Sequence, residues 1–135
     1  GFTFKKTMSV LNGRFKDLLH NLSLIEANRC YFHVSNHSME ITSCGDLGKS
    51  SIRLTDDTEE YSLVNADPDQ DIEDFTVGMS LEKLRLAIIP KFNSRSSKHF
   101  KQIFLGEDAP LLFKYRLSDH IQLSYYFSPL EMDDG

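Results

Sequence analysis

The stretch APLLFKYRLSDHIQLSYYFSPLEMDD, from Ala109 to Asp134, decides the reading of this 135-residue chain. Two runs rich in aromatic and aliphatic residues, Leu111 to Leu117 and Ile121 to Phe127, are broken at Ser118-Asp119, the pattern of two strands joined by a turn. Pro110 leads the first run, a place where a missing backbone N–H costs no ladder bond. The second run ends on the aromatics Tyr125-Tyr126-Phe127, followed by Ser128-Pro129 and an acidic end at Asp133-Asp134. Upstream, Lys101 to Leu105 is a third β-type run, closed by a Gly106-Glu107-Asp108 turn.

Working back, Phe75, Val77 and Met79 alternate as in a half-buried strand, and Ser80 can cap a helix whose Leu81, Leu84 and Ile88 share a face until Pro90 stops it. The same order opens the chain. Phe2 to Val10 is β-prone, Asn12 stands as a cap, and Phe15, Leu18, Leu19 and Leu22 line one helix face opposite Lys16, Asp17, His20 and Asn21. Cys30, Phe32 and Val34 then alternate with Tyr31, His33 and Ser35. Asn36-His37-Ser38 turns into Met39, Ile41 and Ser43, and Gly45-Asp46-Leu47-Gly48 turns again into Ser51-Ile52-Arg53-Leu54. Strand, helix, strands is thus written twice. The expected class is α+β, with two helices side by side on one face of a long antiparallel sheet.

Charge limits function. With a formal net charge of -5, the chain cannot grip nucleic acid over its whole surface, because neutralising phosphates takes lysine and arginine. Nine acids and no base lie between Asp56 and Asp74, a solvated segment within which Tyr61, Leu63 and Val64 can form a strand. Asp67, Asp69 and Asp71 imitate a calcium loop, but Ile72 and Gly78 stand where its glycine and bidentate glutamate belong, so no metal is expected. The one local basic cluster is Lys91, Arg95, Lys98 and Lys101. Cys30 and Cys44 form no zinc motif and read as reduced, half-buried thiols. No nucleophile elbow or phosphate cradle appears, so neither an enzyme nor a cofactor is expected, and no apolar run is long enough to span a bilayer as a helix.

The tail resembles the end of the proliferating cell nuclear antigen family, the eukaryotic-type sliding DNA clamps, which close with a proline-led strand, a short turn, paired aromatics, an Ala-Pro-like dipeptide and an acidic tail. Ser128 replaces the usual alanine. CGDLGKSSIRL, Cys44 to Leu54, resembles the family's glycine-acid-leucine-glycine turn and following strand, and RFKDLLHNLSLI, Arg14 to Ile25, is similar to the helix opening its second domain. The resemblance implies a processivity-clamp fold over residues 1–135, as the C-terminal domain of a subunit whose first domain and connecting loop are absent here.

It further implies a nuclear protein whose ring encircles duplex DNA and tethers polymerases and repair factors. Its partners would be DNA held weakly and without sequence preference, client proteins with clamp-interacting peptide motifs, and like subunits in a homotrimer. A heterotrimeric checkpoint clamp and a stand-alone peptide-binding module are the alternatives. Carried over by match, client peptides would meet Pro110, Tyr126, Ser128, Pro129 and Leu130. DNA would face Lys16, His20, Arg85, Lys91, Arg95 and Lys98. A neighbouring subunit would pair with Lys49, Ser51, Ile52, Arg53, Leu54 and Thr55. His20 replaces a typical arginine, Asp17 takes another commonly basic place, and Glu82 starts the second helix.

Overall fold

A computed structural model describes residues 3–23, 27–55, 61–86, 100–116 and 120–130. Within them the order is β1 (Lys6–Leu11), α1 (Asn12–Ser23), β2 (Arg29–Val34), β3 (Ser38–Gly45), β4 (Gly48–Thr55), β5 (Tyr61–Asn65), β6 (Phe75–Ser80), α2 (Leu81–Leu86), β7 (Phe100–Leu105), β8 (Leu111–Arg116) and β9 (Gln122–Phe127). The written duplication is real: β1-α1-β2-β3-β4 is followed by β6-α2-β7-β8-β9, with β5 as the added strand. Ile88 and Pro90, the Ser118-Asp119 turn and the acidic end lie outside the described residues.

The strands divide into two antiparallel sheets instead of one long one, a five-stranded sheet ordered β5-β1-β7-β8-β9 and a four-stranded sheet ordered β4-β3-β2-β6. The division has a simple cause. Each repeat sends its first strand to the other repeat: β1 pairs with β7, aligning Met8 with Ile103, and β6 pairs with β2, aligning Val77 with Phe32. Each repeat's meander is thereby completed by a strand from its twin.

Local chemistry sets these elements. On α1, Phe15, Leu19 and Leu22 are buried while Lys16, Asp17, His20 and Asn21 are exposed, one apolar stripe at helical spacing. The Ser23 hydroxyl donates to the Leu19 carbonyl at 2.7 Å near the helix end, and the Ser43 hydroxyl of β3 donates to the Leu22 carbonyl at 2.8 Å, tying helix to sheet. The Lys83 N–H donates to the Ser80 hydroxyl at 3.4 Å, the expected cap of α2. Between β3 and β4, Gly45 faces Gly48 across a tight turn, and Gly48 adopts φ 154°, which L side chains disfavour. β1 begins at Lys6, later than Phe2, because Thr3 and Phe4 run outside the ladder, while Lys5 donates its N–H to Leu105 O at 2.8 Å and accepts from Ala66 N–H at 2.9 Å.

The core fills the space between the inner sheet faces and the helices. Phe15 meets Phe113 at 5.8 Å between ring centroids, so α1 packs on β8 of the far repeat. Cys30, expected to be half-buried, is fully enclosed, and burial pushes its thiol up to about 12. Lys101 departs further from expectation. It does not join a surface cluster, because strand alternation places it with Ile103 and Leu105 on the core face of β7, 1% exposed. Its Nζ lies 4.0 Å from the Phe15 ring centroid and 4.7 Å from that of Tyr115. The rings favour the ammonium, yet desolvation outweighs them and lowers Lys101 from 10.5 to about 7. The buried Tyr115 hydroxyl finds no hydrogen-bond partner among the described residues, and burial, then proximity to Tyr125, raises its pKa.

These groups set a pH profile. Between about pH 7 and 10.5 unfolding lets Lys101 take up a proton, so stability climbs as pH rises from 7. Above pH 9 unfolding lets Cys30, and at higher pH Tyr115, release protons, which reverses the slope. The urea midpoint is therefore expected to rise from pH 7 to 9 and fall beyond about pH 10. Lys101→Met should add about 1–4 kcal/mol at pH 7 and remove most of the rise, leaving the part that the lowered Lys6 contributes; a flat wild-type profile from pH 7 to 9 would contradict this account.

Candidate functional site

The outer face of the five-stranded sheet is built by register. Alternation turns Leu111, Phe113 and Tyr115 of β8 inward, which leaves Leu112 and Lys114 outward, opposite Tyr126 and Ser124 of β9. Leu112 also faces Phe104 of β7, Phe104 faces Thr7 of β1, and Thr7 faces Val64 of β5. A row Val64-Thr7-Phe104-Leu112-Tyr126 thus crosses the whole sheet. Val64 is 47% and Tyr126 61% exposed, whereas Leu112 between its neighbours is only 4% exposed. The flanking row, Ser62, Ser9, Gln102, Lys114 and Ser124, is polar apart from the stems of its longer members.

At the β9 end stand the residues expected to receive peptides. Leu111 pairs with Phe127 at the end of the ladder, so Pro110 and Ser128 come just beyond it, next to Leu111 and Phe127 in the chain. Pro110 is half-buried and Ser128 exposed. Pro129 and Leu130 are half-buried, and the Leu130 N–H donates to Gly78 O on β6 at 2.9 Å, so the tail bridges the two sheets. The five carried-over positions therefore lie along one sheet end and the segment leaving it.

Sequence reasoning missed Phe4, whose ring meets Phe104 edge-on with centroids 6.0 Å apart and extends the apolar row. Its seat depends on Gly106. A Cβ there would collide with the Thr3 carbonyl oxygen and stand 3.2 Å from Phe4 Cα, so only glycine lets the incoming chain lie this close. The glycine was legible in the turn after Leu105; the Thr3-Phe4 segment lying over it was not.

The other expected sites are less concentrated. Lys16, His20 and Arg85 are exposed on α1 and α2, which touch each other, while Lys91, Arg95 and Lys98 lie outside the described residues. Asp17 pairs with Arg14 at 3.6 Å, and Lys83 is a further exposed cation beside Arg85. β4 is an edge strand, with Lys49, Ser51, Arg53 and Thr55 exposed. Leu54 is buried and Ile52 packs against the core, so β4 offers a neighbour its backbone edge and polar side chains, not an apolar ridge. Among the described residues no group of three or more His, Cys, Asp or Glu could hold a metal ion.

Comparison with solved structures matches this architecture to PCNA from Thermococcus kodakaraensis, with a TM-score of 0.77 and 19% sequence identity over 96% of this chain. The chain has a sliding-clamp domain fold. It covers 49% of that PCNA chain, about half its length. No family model and no curated protein sequence matches. The layers of this fold are two antiparallel sheets with two helices on their shared inner side.

Gly106→Ala is expected to lift Thr3 and Phe4 off β7, shift the Phe104 ring resonances and cost about 1–3 kcal/mol. Phe4→Ala supplies the reference spectrum for an empty seat. Aromatic NMR and thermal melting check both, and an alanine variant with the wild-type Phe104 environment would show that the chain can pass Gly106 at a greater distance.

Proposed function

We propose that this chain is the C-terminal half of a sliding-clamp subunit, a scaffold and not an enzyme, that tethers polymerases and repair factors to duplex DNA in the nucleus by receiving their peptide motifs on the five-stranded sheet. The apolar row ending at Tyr126, continued by Pro110 and Ser128 and bordered by Pro129 and Leu130, carries the reading. Tyrosine and proline present rigid apolar walls that lose little side-chain entropy when a ligand docks. A short helical turn bearing aliphatic and aromatic anchors fits such a surface.

In the same reading the exposed faces of α1 and α2 look toward DNA. They carry Arg14, Lys16, Lys83 and Arg85 against Asp17 and Glu82, a modest cationic excess suited to sliding, not gripping. The open edge of β4 is the contact to the next subunit, where backbone groups of an edge strand find a ladder.

A chemical-shift titration with a peptide carrying one aliphatic and two aromatic anchors tests the assignment. Shifts are expected at Phe104, Leu112, Tyr126 and Leu130, and Tyr126→Ala should weaken binding about tenfold or more. Shifts scattered over both sheets would refute the site. Duplex binding by the chain alone should be weak in low salt and lost near physiological salt, with Arg85→Glu abolishing it in a mobility-shift assay; retention at 0.5 M salt would contradict a sliding face.

A further inference from the structure

Two described lysines stand on or beside the peptide-receiving face, and their circumstances differ. Lys5 is matched by Glu107, Nζ to carboxylate oxygen 3.6 Å. Lys114, half-buried on β8, points outward one position from Leu112 on the same side, and its Nζ lies 5.0 Å from the Phe104 ring centroid. No carboxylate among the described residues pairs with it. Across the ladder Lys114 faces Gln102 on one side and Ser124 on the other, both uncharged. The flanking polar row therefore holds a single cation, propped on the ring that forms the middle of the apolar row.

A lysine stem resting on an aromatic face keeps its head at the surface and gives up part of its rotamer freedom before any ligand arrives. Leu112 and Lys114 are two residues apart on one strand face, about 7 Å. That is near the span between side chains one helical turn apart. The chain carries a net charge of -5, yet here it presents a positive charge that no described carboxylate pairs, beside the apolar anchors' landing place.

We propose that Lys114 selects client peptides that carry a carboxylate one helical turn from their apolar anchors. The inference rests on the peptide-receiving reading of this face and names the partner's chemistry: a short amphipathic segment with an aspartate or glutamate beside its aliphatic and aromatic residues. The carboxylate pairs with the Lys114 ammonium over Phe104 while the anchors cover Leu112, Pro110 and Tyr126. Charge complementarity at such a rim separates cognate from non-cognate partners more than it raises the total affinity.

Two twelve-residue peptides test this, identical in their isoleucine and phenylalanine anchors and differing only in a glutamate or a glutamine one turn away. Each is titrated by NMR against the wild-type chain, Lys114→Gln and Lys114→Glu in low and moderate salt. The glutamate peptide is expected to bind the wild type about two- to fivefold more tightly than the glutamine peptide, the range of a partly exposed ion pair. Added salt shrinks that preference, Lys114→Gln abolishes it, and Lys114→Glu inverts it. Equal binding of both peptides to the wild type, with shifts at Tyr126 and Leu112, would overturn the role of Lys114 and leave the peptide-receiving face standing. If neither peptide shifts Tyr126 or Leu112, the face and the inference resting on it both fall. An unchanged preference in Lys114→Gln would assign the selection to another residue.

Discussion

Strands β1 and β6 each leave their own repeat to complete the other, and the rest of the domain presupposes this exchange. Without β1, the β7-β8-β9 meander would expose an inner edge; without β6, so would β2-β3-β4. The exchange also delivers α1 and α2, which follow these strands directly, to one side of both sheets, where they touch. Helices on one side leave the other side of the five-stranded sheet bare, and that bare side is the candidate binding face. Its apolar row takes one residue from each of five strands, so neither repeat alone could build it.

The same architecture explains the polar groups that the core tolerates. Lys6 is buried at the start of β1, and its ammonium donates to the carbonyls of Ser35 and Asn36 in the turn between β2 and β3. Burial lowers its pKa, and the two carbonyls compensate the lost water. The Asn36 side chain then accepts from Asn65 Nδ2 at 2.8 Å and Ile72 N at 3.2 Å, and donates to Asp71 at 2.9 Å. One turn thereby fastens β1, the end of β5 and the acidic connection to β6. Charge repulsion along that connection is met by specific hydrogen bonds instead of by counter-charge, which explains how so acidic a stretch keeps a defined path.

Much of this was legible beforehand. The helix stripes, the alternation of Cys30, Phe32 and Val34, the Gly45–Gly48 turn and even the strand within the acidic segment follow periods of 3.6 and 2, which are local properties of the chain. Pro110, Tyr126 and Ser128, proposed to receive peptides, came from the tail's likeness to the clamp family, and the structure sets them close together at the ends of β8 and β9. Register between distant strands has no local signature, so the swap of β1 and β6, the division into two sheets and the row through Val64 and Phe104 were not legible. Lys101 shows the limit most sharply. Composition places it in a basic cluster, while a single step of strand alternation turns it into the core.

The exchange of strands has a consequence for how the chain is born. Met8 can pair early with Leu63 but must wait for Ile103 before the ladder to β7 exists, and at about 5–20 residues per second a ribosome needs roughly five to twenty seconds to supply it. In that interval β2, β3 and β4 can already form hairpins, while β1 finds only β5. The nascent half therefore carries two open ladders, the outer edges of β1 and β2, each waiting for a strand not yet made. Pairing them with each other is the nearest wrong answer, and a sequence that folds this way is under pressure to make β1 and β2 poor partners.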